Sequence, residues 1–211
     1  NPAVNGPWIC DLGRAGRRDI DENRLTRMVK AAAPGVDLSW REGIAEVAAR
    51  ILAVPGEERG VRVAVVLNSF MTCEELAAAR ELFLGGLGLA KVYFADPAPG
   101  SADGLLLTKE RAPNLRGALE AGFQPRPPDL DAIAGAGVVL IFGAHLGALF
   151  TEEVLKRTLA SVPAVYVLAS HAGPLDGLAK LVFPVAVPAE KSGSFINVDG
   201  LRQAFGRGVE P

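Results

Sequence analysis

The sequence predicts an α/β fold built on a parallel, doubly wound sheet. Short apolar runs rich in β-branched residues recur along the chain, and their length suits strands that are covered on both faces. Segments with helical spacing of apolar residues separate several of these runs, which is the pattern of strand-helix-strand crossover units. The runs occupy residues 61–67, 92–95, 138–142, 165–169 and 181–187.

Length and composition favour one globular domain and exclude several classes of function. The 211 residues are 49% hydrophobic and 22% charged, which is enough to bury a full core. A net charge of -2 arises from 24 acidic and 22 basic residues without a long run of one sign, so nucleic-acid binding is not expected. The sequence has no apolar window of about 18 residues and no secretory signal, and its two cysteines do not form a disulfide framework. These features predict a cytoplasmic protein without direct membrane insertion.

Residues 1–38 are predicted to form an irregular arm, and residues 39–211 the α/β domain. The arm mixes Pro, Gly, Asn and charged residues without a lasting helical or strand period. At its end, Ser39 followed by Glu42 forms a capping box, which predicts the start of a helix. Apolar residues then recur at helical intervals and predict the buried face of that helix: Ile44, Val47, Ala48, Ile51 and Leu52.

The remaining elements follow from the same signals. A second capping box, Thr72 with Glu75, predicts a helix that runs to about residue 84, with Cys73 buried in its first turn. Neither His145 nor His171 has a plausible nucleophile partner, so both are predicted to be loop residues rather than bases. A short strand is expected at residues 105–108, and short helical segments at residues 114–122, 130–134, 151–160 and 175–180.

The last strand leads into the best candidate for a functional site. Pro184 and Pro188 cannot donate to a sheet ladder, which predicts an edge strand or one that ends at Pro188. The polar stretch that follows lies where open α/β sheets bind their ligands, at the carboxyl end of a strand. Its small residues leave backbone amides accessible to a phosphate; the alternative is a glycine-rich turn in which Glu190 and Lys191 pair with each other. The stretch contains Glu190, Lys191, Ser192, Gly193, Ser194, Asn197, Asp199 and Gly200.

Part of this stretch carries a resemblance to a known family. Residues 188–203, PAEKSGSFINVDGLRQ, resemble the motif that closes the central domain of the molybdopterin oxidoreductase family. Within that family the resemblance is greatest to the large iron-sulfur subunit of NADH-quinone oxidoreductase, respiratory complex I. The family's G-R-x-Q becomes G-L-R-Q at residues 200–203, which displaces the arginine by one position. The resemblance implies a vestigial pterin-cavity loop that contains Glu190, Lys191, Gly193 and Asn197.

A second segment extends this set of inherited cofactor-binding residues. Residues 113–118, PNLRGA, resemble a segment of the same subunit that follows the position where related enzymes hold molybdopterin guanine dinucleotide. The resemblance implies that Asn114 and Arg116 contacted phosphate or guanine in an ancestor. A solvated loop with a helix cap is the alternative interpretation of these two residues.

The arm resembles the end of an iron-sulfur module. Residues 4–14, VNGPWICDLGR, are similar to the end of the family's four-iron module, where the cysteine is the last of four cluster ligands. The resemblance implies that Cys10 is one inherited [4Fe-4S] ligand. The other three ligands are absent, so the cluster belongs to the parent protein and this chain is expected to bind none. From residue type alone, Cys10 is a small buried hydrophobic residue.

The resemblance implies that the chain is an excerpt of a longer subunit. Val4, Trp8 and Ile9 would then face the missing module, so residues 1 to about 15 are expected to be mobile or to lie across the domain. The implied function is to scaffold the iron-sulfur chain between NADH and quinone, with no catalytic residue and no activity in the isolated chain. The partners would be other subunits of NADH-quinone oxidoreductase, in a complex peripheral on the inner face of the membrane. Two alternatives stay open: a fragment of a molybdopterin-dependent enzyme such as a formate dehydrogenase-like subunit, or a nucleotide-binding α/β domain.

Overall fold

The structure is a computed structural model that describes residues 20, 22–30, 37–104, 107–143 and 145–210. The strands are β1 (Val63–Leu67), β2 (Lys91–Phe94), β3 (Val138–Phe142), β4 (Ala164–Ala169), β5 (Leu181–Pro184), β6 (Gly193–Ile196) and β7 (Arg202–Phe205). The helices are α1 (Trp40–Leu52), α2 (Gly56–Arg62), α3 (Cys73–Ala79), α4 (Leu115–Glu120), α5 (Leu130–Ala134), α6 (Leu146–Leu149) and α7 (Glu152–Leu159). A π-helical segment, Arg80–Gly86, continues α3, and Pro188–Glu190 forms a 3₁₀ turn.

The first five strands form a parallel sheet in the order β2-β1-β3-β4-β5, which confirms the predicted α/β class. Alternate residues of β1 face opposite sides of this sheet. Val65 packs in a core that contains Leu76 of α3, whereas Val66 packs in a second core that contains Leu155 of α7. Helices therefore cover both faces, and the sheet is doubly wound as predicted. The strand order reverses between β1 and β3, and such a reversal is where open α/β sheets bind their ligands.

Both predicted capping boxes are present. The amide of Glu42 donates to Ser39 Oγ over 3.3 Å, and the amide of Ser39 donates to the Glu42 carboxylate over 2.8 Å. At the start of α3, Thr72 and Glu75 form the same reciprocal pair, with distances of 3.1 and 2.8 Å. Each box satisfies amide groups that the first helical turn leaves without a partner, which is why these helices begin where the sequence predicts.

The predicted buried face of α1 is partly wrong. Ile51 is buried and Val47 is half-buried, but the other three predicted positions are exposed: Ile44, Ala48 and Leu52. The reason is Gly43, which is buried; a Cβ atom there would lie 2.7 Å from Met28 Sδ and 2.7 Å from Phe183 Cε1. The helix approaches the sheet along this glycine, so it is rotated away from the face that the apolar spacing suggests.

Strand boundaries also differ from those predicted, by one residue at either end of β2 and at the start of β4, and by more at β1 and β5. Residues 61 and 62 end the helix α2 and do not belong to β1; Val61 is 55% exposed. Helix α2 buries no residue, so its sequence carries no apolar period from which it could have been recognised. The edge strand β5 ends at Pro184, before the predicted end at residue 187. Of the predicted strand at residues 105–108, the described residues 107 and 108 have no regular structure.

The polar stretch after β5 forms a β-hairpin, which corrects the predicted loop. Strands β6 and β7 pair antiparallel, with Ser194 opposite Ala204. The turn between them is held by Asn197, whose Oδ1 accepts hydrogen bonds from the amides of Asp199 and Leu201 over 3.1 and 2.9 Å. Gly200 has a φ of 85°, a conformation that favours glycine in such turns.

Residues 22–30 run along the edge of β5 as a strap. Val29 exchanges two backbone hydrogen bonds with Val182, at 3.0 and 2.8 Å, and the amide of Leu25 donates to Ser170 O over 3.0 Å. The side chain of Met28 is buried beneath α1. This part of the predicted irregular arm therefore lies against the domain and closes one edge of the sheet.

The opposite edge, β2, is closed by the connector that precedes α5. The amide of Phe94 donates to Arg126 O over 2.8 Å. The Arg126 guanidinium donates to the carbonyls of Ala90 and Val92 and lies 4.8 Å from the centre of the Tyr93 ring. One arginine thus satisfies backbone acceptors of the edge strand and also covers its aromatic side chain.

Several predictions fall on residues outside the described ranges. They concern Cys10, the apolar residues Val4, Trp8 and Ile9, and the first part of the arm. The division of the chain at residue 38 also stays a prediction. Within the described ranges, no helix combines the length and the apolar composition that a membrane span requires.

Candidate functional site

A cleft of about 580 Å³ lies at the carboxyl ends of β1, β3, β4 and β5, next to the point where the strand order reverses. This is the position at which an α/β sheet of this order is expected to bind a ligand. Its lining is mostly apolar, and it includes Trp40, Phe70, Met71, Leu82, Phe83, Phe142, Leu168, Pro184 and Val185. The polar residues of the lining are Asn68, Glu75, His145, Ser170 and Lys191.

Asn68, which follows β1, is buried beside the cleft and joins two strand ends. Its side-chain amide donates to Phe142 O over 2.6 Å, and its Oδ1 accepts the amide of Phe70 over 2.9 Å. Gly143 makes this contact possible, because a Cβ atom there would lie 2.9 Å from Asn68 Nδ2. Gly143 also has a φ of 79°, so its position favours glycine for two reasons.

The imidazole of His145 stacks on the ring of Phe70. The ring centres are 4.2 Å apart and the planes are inclined by 12°. Burial lowers the pKa of His145, and the carboxylate of Asp96 opposes this effect only in part. Asp96 is itself held by the amide and the hydroxyl of Ser69, both at 2.6 Å. The histidine is therefore a neutral ring at physiological pH, with one nitrogen that donates and one that accepts.

The rim of the cleft carries one charged pair. Lys191 Nζ lies 2.9 Å from Glu75 Oε1, and Glu75 also accepts the amide of Thr72 as part of the capping box. The ammonium and the carboxylate neutralise each other, so the lining has little net charge. Among the six predicted cofactor-binding residues, Lys191 is the one that lines this cleft.

Glu190 forms an ion pair with the strap and not with its neighbour in sequence. Arg24 donates two hydrogen bonds to the Glu190 carboxylate, at 3.0 and 2.8 Å, and the side chains are only 16% and 9% exposed. The hydrogen bond from Arg24 lowers the pKa of Glu190, although partial burial opposes the shift. The alternative in which Glu190 pairs with Lys191 is therefore wrong, since each has its own partner on another element.

The amide of Ser194, next to Gly193, is occupied by an acceptor of the protein. The amide and hydroxyl of Ser194 donate to the Glu74 carboxylate over 2.9 and 2.7 Å. Burial raises the pKa of Glu74, but the hydrogen bonds from Ser194 outweigh it and the pKa is lowered overall. Gly193 packs on α3, and a Cβ atom there would lie 2.7 Å from Thr72 Cγ2. Asn197 lies in the hairpin turn, where its side chain bonds to the backbone.

Asn114 and Arg116 have different environments although both belong to the start of α4. Asn114 is fully buried, with Nδ2 2.8 Å from Met71 O and Oδ1 2.8 Å from the amide of Ile196. Arg116 is exposed beside a separate hollow of about 270 Å³, next to Ile196. The structure thus brings Asn114 to the hairpin but does not gather the six predicted residues around one cavity. Their cofactor-binding role stays a prediction.

Apart from Lys191, the polar and aromatic residues of the cleft are not among the predicted site residues. Asn68 and Phe70 follow β1, and His145 follows β3, which are neighbouring parallel strands. The carboxyl ends of such strands meet at one edge of the sheet, so the pattern contained the necessary signal. The sequence alone does not show that His145 acts as an aromatic surface, because this depends on Phe70, which the fold brings against its ring.

A metal site is not evident in the part of the chain that the structure describes, where no three His, Cys, Asp or Glu side chains are grouped to hold an ion. Cys73 is buried at the first position of α3, as predicted. Its Sγ lies 3.6 Å from both polar atoms of the Asn114 side chain. This thiol therefore packs inside the domain and does not face the cleft.

Comparison with known proteins finds a partial similarity. Over 81 residues the chain is 36% identical to NADH-quinone oxidoreductase subunit 3 of Thermus thermophilus. This similarity concerns one segment of the chain and a small part of that subunit. The match covers 37% of this chain and 10% of that subunit. No protein-family model matches the sequence.

Proposed function

We propose that this chain is a domain of the electron-transfer subunit of NADH-quinone oxidoreductase, the large iron-sulfur subunit, with a fold like the molybdopterin oxidoreductase domain. It scaffolds the iron-sulfur chain between NADH and quinone and has no bond-making residue of its own. One observation carries the proposal: the loop that resembles a pterin-cavity loop is a hairpin in which Ser194 and Ile196 donate hydrogen bonds to side chains of the domain itself.

The contacts of the hairpin support a scaffolding role over dinucleotide binding. A phosphate held by this loop would need free amides or an unpaired cation. The carboxylate of Glu74 instead accepts the amide and hydroxyl of Ser194, and Asn114 accepts the amide of Ile196. Lys191 is paired with Glu75. The anion in this hairpin is thus supplied by the protein, and the hairpin fastens one part of the domain to another.

In this proposal the [4Fe-4S] cluster belongs to the parent protein, and Cys10 supplies one of its ligands. The partners are the other subunits of the complex, which lies on the inner face of the membrane. The similarity to a subunit that bears the name NADH-quinone oxidoreductase supports this assignment over a molybdopterin-dependent enzyme. The isolated chain is expected to be inactive.

The proposed partnership is tested by affinity purification of the tagged protein from its source organism. We expect other NADH-quinone oxidoreductase subunits to copurify, together with NADH-dependent reduction of ferricyanide. The same tag on an unrelated protein serves as the control. Recovery of the tagged protein without any subunit of the complex would contradict the proposal.

Metal analysis separates the proposal from the molybdopterin alternative. The chain has two cysteines, and a cubane cluster needs four ligands. We therefore expect no stoichiometric iron in the purified 211-residue chain after anaerobic reconstitution, and no molybdenum. A bacterial ferredoxin treated in parallel is the positive control. Stoichiometric iron with a broad visible absorption would contradict the prediction, whereas molybdenum or the fluorescence of oxidised pterin would favour the alternative.

A further inference from the structure

The proposed scaffolding role does not involve the cleft at the carboxyl end of the parallel sheet. Its volume of about 580 Å³ lies within the range of about 300 to 1,000 Å³ that is typical of small-molecule sites. Such sites are mostly apolar and contain a few polar groups that fix the orientation of the ligand. The cleft meets both conditions, and it lies where the strand order reverses.

The charges of the lining favour an uncharged ligand. Glu75 and Lys191 are the charged side chains of the cleft, and they form an ion pair at 2.9 Å. An anionic ligand would find no unpaired cation among the lining residues, and a cationic ligand would find no unpaired carboxylate. Both would lose hydration without compensation.

The aromatic residues of the lining favour a planar ligand. Phe70 and His145 are stacked at 4.2 Å and form one flat aromatic unit beside the cleft. The rings of Trp40, Phe83 and Phe142 line other parts of it. Aromatic rings gain from stacked or edge contacts beyond the burial of their area. A flat conjugated ring exploits these contacts better than a flexible chain does.

His145 supplies the hydrogen-bonding group of the cleft. Among the described residues, no side chain or backbone group hydrogen-bonds to its ring, so both nitrogens can engage a ligand. Asn68, by contrast, has both side-chain atoms in use. A neutral imidazole donates with one nitrogen and accepts with the other, which suits a carbonyl oxygen or a ring N–H.

We propose that the cleft binds a planar, uncharged aromatic or quinonoid ring that packs against the Phe70–His145 pair and hydrogen-bonds to His145. A quinone and the isoalloxazine ring of a flavin share this chemistry. The inference does not depend on the proposed function, because it rests on the lining of the cleft and not on the partners of the domain.

Isothermal titration calorimetry of the full chain tests the proposal with three probes: a short-chain quinone, lumiflavin and riboflavin 5′-phosphate. We expect saturable binding of the quinone or of lumiflavin with a dissociation constant below about 100 µM. Binding of the quinone alone, or of lumiflavin alone, would show which of these two kinds of ring the cleft accepts. Riboflavin 5′-phosphate is expected to bind no more than about threefold more tightly than lumiflavin, since the lining has no unpaired cation for the phosphate group. Absence of saturable binding by both uncharged probes up to about 1 mM, or a strong preference for the phosphate, would overturn the proposal.

Variants of the stacked pair locate the bound ring. Phe70→Ala and His145→Ala are each expected to weaken binding by about tenfold or more. His145→Phe keeps a ring and removes the nitrogens, so it should weaken binding less than His145→Ala. Leu119→Ala, an exposed position beside the separate hollow, is the matched control and should bind as the wild type does. Circular dichroism confirms that each variant is folded. Equal affinity of Phe70→Ala and the wild type would show that the ring binds elsewhere.

Discussion

Replacing Asn114 by alanine is expected to lower the free energy of unfolding by about 3 kcal/mol. Asn114 is 0% exposed and connects three segments of the chain. Its side chain donates to Met71 O and accepts the amide of Ile196, each over 2.8 Å. Alanine leaves that carbonyl and that amide buried without partners, and it also leaves a small cavity. Urea unfolding followed by far-UV circular dichroism measures the loss.

The substitution Arg116→Ala is the matched control for Asn114→Ala. It lies on the same helix, but Arg116 is exposed, so we expect a change within about 0.5 kcal/mol. Hydrogen exchange provides a second measurement, because the Ile196 amide should lose protection in Asn114→Ala. A loss of stability below about 1 kcal/mol with unchanged protection of that amide would show that Asn114 does not hold the hairpin.

Replacing Arg24 by alanine is expected to destabilise the protein by about 2 kcal/mol at neutral pH. The bidentate pair with Glu190 is only 16% and 9% exposed, and it joins the strap to the turn that precedes the hairpin. Its loss leaves a carboxylate in a poorly solvated position without its bidentate guanidinium partner. Arg207→Ala removes an exposed pair with Glu210 and should cost no more than about 0.5 kcal/mol.

The effect of Arg24→Ala should depend on pH in a defined direction. The hydrogen bond from Arg24 lowers the pKa of Glu190 below its ordinary value of 4.5. A carboxyl group with a lowered pKa in the folded state contributes stability above its ordinary pKa and loses it as the pH falls through the lowered pKa. The difference between wild type and variant should therefore be constant above about pH 5 and shrink in more acidic solution. A difference that grows on acidification would contradict this role of the pair.

Local signals in the sequence predicted the elements with strong caps or apolar runs. Ser39 with Glu42 and Thr72 with Glu75 fixed the starts of α1 and α3, because the bonds that they form are made within a few residues. The strand at residues 138–142 was predicted at its full length, since a central strand is apolar on both faces. Interactions between neighbours in sequence need no knowledge of the tertiary fold.

The features that were mispredicted depend on contacts between distant residues. Gly43 turns α1 towards Met28 and Phe183, and no periodicity within the helix reveals that contact. Ser194 is buried in β6 because Glu74 accepts its hydrogen bonds, so a polar residue stands at a core position and hides the strand pattern. Asn114 likewise has the sequence context of an ordinary helix cap. Its bond to the amide of Ile196 forms because the fold brings the two residues together. In each case a glycine or a polar residue is buried, and the reason is a contact with a residue that is distant in the sequence.

The closed edges of the parallel sheet restrict how this domain can join a larger assembly. A partner that extends a sheet must find unpaired backbone groups on an outer strand. The strap at Val29 occupies those of β5, and Arg126 occupies those of β2. Neighbouring proteins are therefore left with side-chain surfaces, such as the outward face of α1 with Ile44 and Leu52. The same closure protects the parallel sheet from edge-to-edge pairing with another copy of the chain.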